Sequence, residues 1–269
     1  MSLPEPHTEA GRAGLAALLA DPGKALVALD FDGTLAPIVA DPTTSRMAAG
    51  ALLALQRLAV AVGGLAIVTG RQAQVAVDVG GLAAVPGLII EGQYGAEQWR
   101  DGVLTLPDPP PGIARVRAEL PELLATADPG VWVEDKVSSL VVHTRRAADP
   151  SGELARLSPV LVPLAERHGL EGNSGRNVVE IRPPGIDKGG ALRRLVEEVR
   201  PSAVLFGGDD VGDLPAFATV AELRSDGVAG LTVCSVSNEA PQIAERADLT
   251  VDGPAGVVAF LTGLADAIG

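Results

Sequence analysis

The chain has 269 residues, 47% of them hydrophobic, and carries 21 Lys+Arg against 34 Asp+Glu, for a net charge of -13. That balance repels phosphate backbones and anionic lipid, so nucleic acid is excluded as a partner and an anionic small substrate would need local positive groups or a metal. One cysteine, Cys234, excludes an intrachain disulfide and fits a reducing, cytoplasmic location; no signal peptide is read at the N-terminus, and no apolar stretch reaches the roughly 18 residues of a membrane helix.

Ala25 to Leu29 is an apolar run that predicts a buried parallel strand, and it ends on Asp30-Phe31-Asp32-Gly33-Thr34-Leu35. A helix is expected over Ala48 to Ala59, with Leu52, Leu55 and Leu58 at helical spacings. Leu65 to Val68 predicts the next strand, followed by a Thr69-Gly70-Arg71 turn and a short helix over Gln72 to Val79. Leu88 to Ile90 reads as a third strand, and Glu97 to Leu106 as a hairpin turning at Asp101-Gly102.

Pro107, Pro109, Pro110 and Pro111 then form a rigid boundary. Beyond it come a helix over Ile113 to Leu124, strands over Val131 to Val133, Ser138 to His143 and Val178 to Ile181, and a helical region over Leu154 to His168. These strands alternate in polarity, as a small sheet with one covered face does. After Pro183-Pro184-Gly185 the apolar runs return, at Val204 to Phe206 and Leu231 to Val233, with helices over Ala191 to Val199 and Pro254 to Ala267. The expected fold is α/β: a Rossmann-like, mostly parallel sheet formed by residues 1–108 and 184–269, with a smaller α+β cap domain, residues 109–183, inserted between them.

Four groups of residues carry chemistry. Asp30 and Asp32, at the carboxyl end of a parallel strand, would repel each other unless a positive group sits between them or one holds a proton. Such a pair suits a two-step transfer in which one carboxylate attacks phosphorus and the other moves a proton, and its oxygen ligands suit Mg²⁺. The plain alternative is an Asx-type turn; a calcium loop fails because Leu35 occupies the position of its glycine. Thr69 and the N–H groups after it can cradle phosphoryl oxygens, although Thr-Gly is also an ordinary helix start. Lys188 opens a helix, where a cation is mildly unfavourable unless it points at Asp30, holding that carboxylate ionised, and at a phosphoryl group. Asp209, Asp210 and Asp213 crowd three acids into five positions, a conflict that a cation resolves, with Asp209 as direct ligand and Asp210 and Asp213 acting through water or by orienting Lys188. There is no GxGxxG, GxxxxGK[ST] or GxSxG signature, and His7, His143 and His168 share no metal-ligand spacing.

Taken in this order, the four groups resemble the haloacid-dehalogenase-like hydrolase superfamily. More narrowly, the chain is similar to trehalose-6-phosphate phosphatases in Asp30-Phe31-Asp32-Gly33-Thr34-Leu35-Ala36-Pro37-Ile38, in Val133-Glu134-Asp135-Lys136-Val137-Ser138-Ser139-Leu140 running to His143-Thr144-Arg145, in Gly175-Arg176-Asn177-Val178-Val179-Glu180-Ile181-Arg182-Pro183 leading to Asp187-Lys188-Gly189, and in Gly208-Asp209-Asp210 with Asp213. The resemblance implies that Asp30 is the nucleophile, Asp32 the acid/base, and Thr69 and Lys188 the phosphoryl holders. It implies Mg²⁺ bound by Asp30, Asp209 and the Asp32 backbone carbonyl. It places Gly70, Arg71, Gln93, Tyr94, Glu134, Lys136, Ser138, Arg176 and Glu180 at or near a sugar phosphate.

The family's G-x-H-G-A-E segment reads Gly92-Gln93-Tyr94-Gly95-Ala96-Glu97 here, with Tyr94 in place of the histidine. A related disaccharide or pseudodisaccharide phosphate is therefore the alternative substrate. From another class, a non-catalytic sugar-phosphate sensor would require a damaged set of catalytic side chains, whereas Asp30, Asp32, Lys188 and Asp209 are all present. A monomer is expected, because no large apolar stripe is left over.

Overall fold

A computed structural model of the protein describes residues 3–39, 41, 44–106, 108, 110–136, 138–175, 177–236 and 241–269. Arg176, and Pro107 and Pro109 of the proline boundary, lie outside them. The chain divides into two compact units, one of Met1–Leu106 with Asp187–Gly269 and one of Pro107–Ile186.

The elements of the first unit begin with α1 (Glu9–Ala20), β1 (Ala25–Leu29), α2 (Ala51–Ala59), β2 (Gly64–Val68), α3 (Ala73–Gly80), β3 (Ile89–Gly92), β4 (Glu97–Arg100) and β5 (Val103–Thr105). The second unit holds α4 (Pro111–Leu123), β6 (Trp132–Lys136), β7 (Ser139–His143), α5 (Pro150–Arg167), β8 (Glu171–Gly175) and β9 (Val178–Arg182). The first unit resumes with α6 (Lys188–Val199), β10 (Ala203–Gly208), α7 (Leu214–Ser225), β11 (Ala229–Ser235), the short α8 (Pro241–Ala244), β12 (Leu249–Val251) and α9 (Gly253–Ile268).

The first unit is an eight-stranded sheet in the order β12-β11-β10-β1-β2-β3-β4-β5. Its strands from β12 to β3 pair in parallel, and the β3–β4 and β4–β5 pairs are antiparallel. Because side chains alternate along a strand, β1 serves two cores. Val27 and Leu29 pack with Leu15, Leu55, Leu58 and Leu261, whereas Leu26 and Ala28 pack with Leu192, Leu195, Phe217 and Val220. The β4–β5 hairpin turns through Asp101 (φ 49°) and Gly102 (φ 83°), both left-handed as a tight two-residue hairpin requires.

Helix α2 begins three residues later than the apolar spacing indicates, because Gly50 at φ 87° breaks the chain direction before it. Helix α1 has little sequence signal, since Gly11 and Gly14 weaken it. The structure explains them: a Cβ on Gly14 would strike the Gly230 carbonyl of β11, so glycine lets the helix lie close on the sheet. Helix α7 also escapes the sequence reading, since its apolar residues are too widely spread to draw one stripe.

The second unit is a four-stranded antiparallel sheet, β6-β7-β9-β8. Leu140, Val142, Val179 and Ile181 point to one side and pack with Ile113, Val116 and Leu120 of α4 and Leu157, Leu161 and Leu164 of α5. On the same side Arg117 of α4 donates to both oxygens of Asp135, at 2.5 and 2.8 Å. The opposite side carries Trp132, Glu134 and Lys136 of β6. Helix α5 starts at Pro150, capped by Asp149, which accepts from the Gly152 N–H. It therefore extends the expected helix by four residues at its N-terminal end.

Candidate active site

Three parallel strands of the first unit deliver their following residues to one edge of the sheet. Asp30 and Asp32 follow β1, Thr69 follows β2, and Asp209 follows β10. The Asp30 N–H donates to the Gly207 carbonyl at 2.8 Å, and the Thr69 N–H to the Glu91 carbonyl at 2.9 Å, so the sheet pairing runs on into the site. Helix α6 contributes Lys188 as its first residue, behind an Asp187 cap that accepts from the Gly190 N–H at 2.8 Å.

Lys188 is 3% exposed, and its Nζ lies 2.6 Å from both Asp30 Oδ1 and Asp213 Oδ1. Burial disfavours the ammonium, but the Asp30 and Asp213 charges outweigh that and raise it above its ordinary value. Asp213 uses its other oxygen to accept from the N–H groups of Asp209 and Asp210, at 2.9 and 3.1 Å. One buried carboxylate thus orients both the lysine and the acidic loop, while Asp210 caps the turn through its reciprocal bond with Asp213.

Asp30, Asp209 and Asp213 are all buried, and their carboxylate oxygens can be chosen within 4.8 Å of one another. With all three ionised around a single ammonium, this cluster carries an excess of two negative charges in a dry site. Asp30 is pushed well above the ordinary carboxylate range, by burial first and then by Asp213 and Asp209, against the pull of Lys188. Asp209 is pushed up to about 7, again by burial first and then by Asp213 and Asp210. Its Oδ2 is buried without a hydrogen-bond partner. A hard divalent cation fits this arrangement: it takes oxygen donors, cancels the excess charge and occupies the orphaned oxygen. Gly33, at φ 80°, belongs to the same fit, because any side chain there would collide with the Asp209 carboxylate.

Asp32 stands apart from this cluster. Arg71 donates to both its oxygens, Nε to Oδ2 and Nη2 to Oδ1, each at 2.6 Å, and the guanidinium lies 5.4 Å from the Phe31 ring centre. Lys188 faces Asp30 as the sequence leads one to expect, and the bidentate Arg71 partner of Asp32 is the addition. Each carboxylate has its own side-chain cation, Lys188 for Asp30 and Arg71 for Asp32.

The loop after β3 is clamped onto the Thr69-Gly70-Arg71 turn. The Gln93 N–H donates to the Arg71 carbonyl at 2.7 Å, and the Tyr94 N–H to the Thr69 carbonyl at 2.9 Å. Gln93, Tyr94 and Gly95 all have positive φ, at 49°, 61° and 90°, a run that costs backbone energy and persists only under such restraint. A Cβ on Gly70 would lie 2.7 Å from the Tyr94 hydroxyl, so glycine admits the tyrosine ring. Gln93 is buried with its Oε1 unpartnered.

In the second unit, Glu134 faces Val141, Val141 faces Glu180, and Glu180 faces Asn173, which makes one row across the sheet. Lys136 faces Ser139 in the next row, with Arg182 opposite Glu171. Ser138 is buried beside the β6–β7 turn. The sequence reading leaves out Asn173 and Arg182 of this face; strand alternation from Glu180 points to Arg182, whereas Asn173 is placed only by the pairing of β8 with β9.

A sequence model of the family described as Trehalose-phosphatase matches residues 28–252. The chain belongs to the trehalose-phosphatase family. It is 36% identical over 259 residues to the trehalose-phosphate phosphatase of Mycobacterium avium (strain 104), covering 89% of this chain and 62% of the relative. It is 34% identical over 258 residues to that of Mycobacterium tuberculosis (strain ATCC 25618 / H37Rv), covering 89% and 61%. The chain thus spans about three fifths of the length of these curated relatives. In fold it is similar to the C-terminal domain of the Candida albicans trehalose-6-phosphate phosphatase, with TM-score 0.73, 21% identity and 99% of both chains covered. The Aspergillus fumigatus trehalose-6-phosphate phosphatase is similar too, with TM-score 0.70, 23% identity, and 98% and 99% covered. This family member has no described helix long and apolar enough to cross a membrane.

Proposed function

We propose that this protein is a Mg²⁺-dependent phosphatase that hydrolyses trehalose 6-phosphate to trehalose and phosphate through an aspartyl-phosphate on Asp30. The observation that carries this reading is the division of labour between the two carboxylates. Asp30 is buried and anchored by Lys188 beside the acidic cluster, whereas the Asp32 side chain remains 36% exposed on a pairing with Arg71 that it can leave.

Asp30 attacks phosphorus as the bond from phosphorus to the sugar oxygen breaks, and Asp32 gives that oxygen its proton. Asp32 then takes a proton from water as the water oxygen attacks the phosphoryl group, which returns Asp30 to its carboxylate and releases phosphate. Thr69 and Lys188 hold the phosphoryl oxygens, with Gly70 and Arg71 alongside. Asp30, Asp209 and the Asp32 backbone carbonyl are the groups that would hold Mg²⁺, with Asp210 and Asp213 supporting them. When bound, Mg²⁺ supplies charge neutralisation at the phosphoryl oxygens.

Glu134, Lys136, Ser138 and Glu180, with Gln93 and Tyr94, are proposed to read the sugar; Arg176 completes that set on the family pattern alone. The enzyme is proposed to act as a cytoplasmic monomer. Release of phosphate from trehalose 6-phosphate, sucrose 6-phosphate and mannosyl phosphates, with Mg²⁺ and with chelator, tests this directly. Metal-dependent turnover greatest on trehalose 6-phosphate supports it. Equal or faster turnover of another disaccharide phosphate overturns the substrate and supports the related-sugar reading that Tyr94 motivates.

A further inference from the structure

The second unit contains a stack of side chains for which the phosphatase reading has no role. The rings of Trp132 and His143, opposite each other on β6 and β7, lie parallel, with centroids 4.4 Å apart and planes 4° from each other. The Arg146 guanidinium lies 4.5 Å from the centre of the Trp132 ring, which leaves it the face that His143 does not cover. The turn that returns Arg146 is fixed at its base. Thr144 is fully buried; its N–H donates to the Asn177 carbonyl at 2.9 Å and its hydroxyl to the Pro150 carbonyl at 2.8 Å. Gly130, just before β6, touches the Arg146 carbonyl so closely that a Cβ would collide with it.

Both faces of Trp132 are therefore taken, and the indole is no platform for a ligand. What the stack does is fix the plane of the His143 imidazole. Its Nε2 lies 3.0 Å from Glu134 Oε2, the geometry of an Nε2–H donating to a carboxylate. His143 is only 18% exposed, whereas Glu134 is 44% exposed and lies on the sheet face away from α4 and α5. A glutamate at an open strand position has several rotamers; holding one oxygen on a ring that cannot turn selects one and presents the other oxygen outward.

We infer that His143 is a positioning residue for sugar recognition: locked by Trp132 and Arg146, it holds Glu134 Oε2 so that Oε1 accepts hydrogen bonds from sugar hydroxyls. This rests on the proposed role of Glu134 in binding a sugar phosphate. It adds a preorganised polar contact, made before the substrate arrives.

The test uses kcat and KM for trehalose 6-phosphate beside p-nitrophenyl phosphate, an ester with no sugar. His143→Phe keeps a ring against Trp132 and removes the donor; His143→Gln loses the ring but returns an N–H near the position of Nε2. His143→Phe is expected to raise the KM for trehalose 6-phosphate about tenfold, with kcat/KM for p-nitrophenyl phosphate changed less than about twofold. His143→Gln should recover part of that loss. Glu134→Gln should raise KM similarly, and the double variant should be no worse than the poorer single one. A KM for His143→Phe within about twofold of wild type, or losses that multiply in the double variant, overturns the inference. If His143→Phe does not fold, His143→Asn, whose amide is too short to reach Glu134, takes its place. Wild-type protein that releases no phosphate from trehalose 6-phosphate overturns the phosphatase reading instead. The role of His143 is then read by calorimetric binding of trehalose 6-phosphate to Asp30→Asn with and without His143→Phe. A roughly tenfold weaker Kd supports it, and an unchanged Kd or no binding in either protein overturns it.

Discussion

Replacing Lys188 with methionine tests the electrostatics of the site through stability. The side chain is 3% exposed, with two ion pairs at 2.6 Å. Its loss leaves Asp30 and Asp213 buried without a countercharge, while methionine conserves most of the volume. Removing one partner of a buried ion pair costs about 3–5 kcal/mol. At about 2–4 °C per kcal/mol for a domain of this size, the melting temperature in chelator should fall by roughly 6–20 °C. The deficit should depend on pH in a definite direction. The folded-state pKa of Asp30 is already raised, so the folded form binds its proton at a higher pH than the unfolded form, and falling pH favours folding. Without Lys188 the same effect grows, and the gap to wild type narrows as pH falls from about 8 to about 5. Thermal denaturation of both proteins across that range, in EDTA, is the assay. A variant that melts within about 2 °C of wild type at pH 8 would falsify the claim that Lys188 is the countercharge holding the site together.

Mg²⁺ binding should compete with protons, because the Asp209 carboxyl of the metal-free protein is pushed up to about 7 and must be ionised to act as a ligand. Calorimetric affinity should weaken below that pH by about tenfold per unit, and a Kd that stays flat down to pH 5.5 speaks against Asp209 as a ligand. Gly33→Ala should weaken Mg²⁺ binding at least about tenfold by displacing Asp209, with refolding at the φ 80° position also penalised; unchanged affinity would contradict the close fit. Asp248→Asn tests a network remote from the site. Burial pushes this carboxyl up, but bonds from Thr8, from the N–H and hydroxyl of Thr232 and from Arg224 outweigh it and hold it low. Its contribution, about 2–3 kcal/mol, is present above the unfolded pKa and lost as pH falls through the folded one. Denaturant titrations should therefore show the wild-type advantage at pH 7 shrinking in acid, and an advantage independent of pH refutes the ionic role.

The parallel core was legible because buried strands write themselves as apolar runs: Ala25–Leu29 and Gly64–Val68 end where Asp30 and Thr69 begin. Helices with a single stripe, such as α6, were legible for the same reason. α1 was hidden by Gly11 and Gly14; Gly14 lets the helix lie close on β11, more than 200 residues away, and Gly11 makes room for the Asp248 side chain. β8, Glu171–Gly175, was hidden because its sequence EGNSG has no apolar residue and takes its strand form from pairing with β9. At the site, residue types and their order pointed to the carboxylates, the acidic loop and the pairing of Lys188 with Asp30, but not to the partner of Asp32. Arg71 was grouped with the substrate, and nothing in the spacing of Asp32 and Arg71 signals a bidentate bond across 39 positions. His143 was set aside for lack of a metal spacing, since its stacking on Trp132 depends on β6–β7 register, which a linear reading does not fix.

Every other role at the site follows from Asp30 being the group that attacks phosphorus. Phosphate release from trehalose 6-phosphate by wild type and by Asp30→Asn, each with Mg²⁺ and with EDTA, tests it most directly. Asp30→Asn keeps the shape of the side chain and removes its nucleophilic oxygen. Turnover is expected only in the wild type with Mg²⁺; turnover by Asp30→Asn at the wild-type rate would rule Asp30 out as the nucleophile.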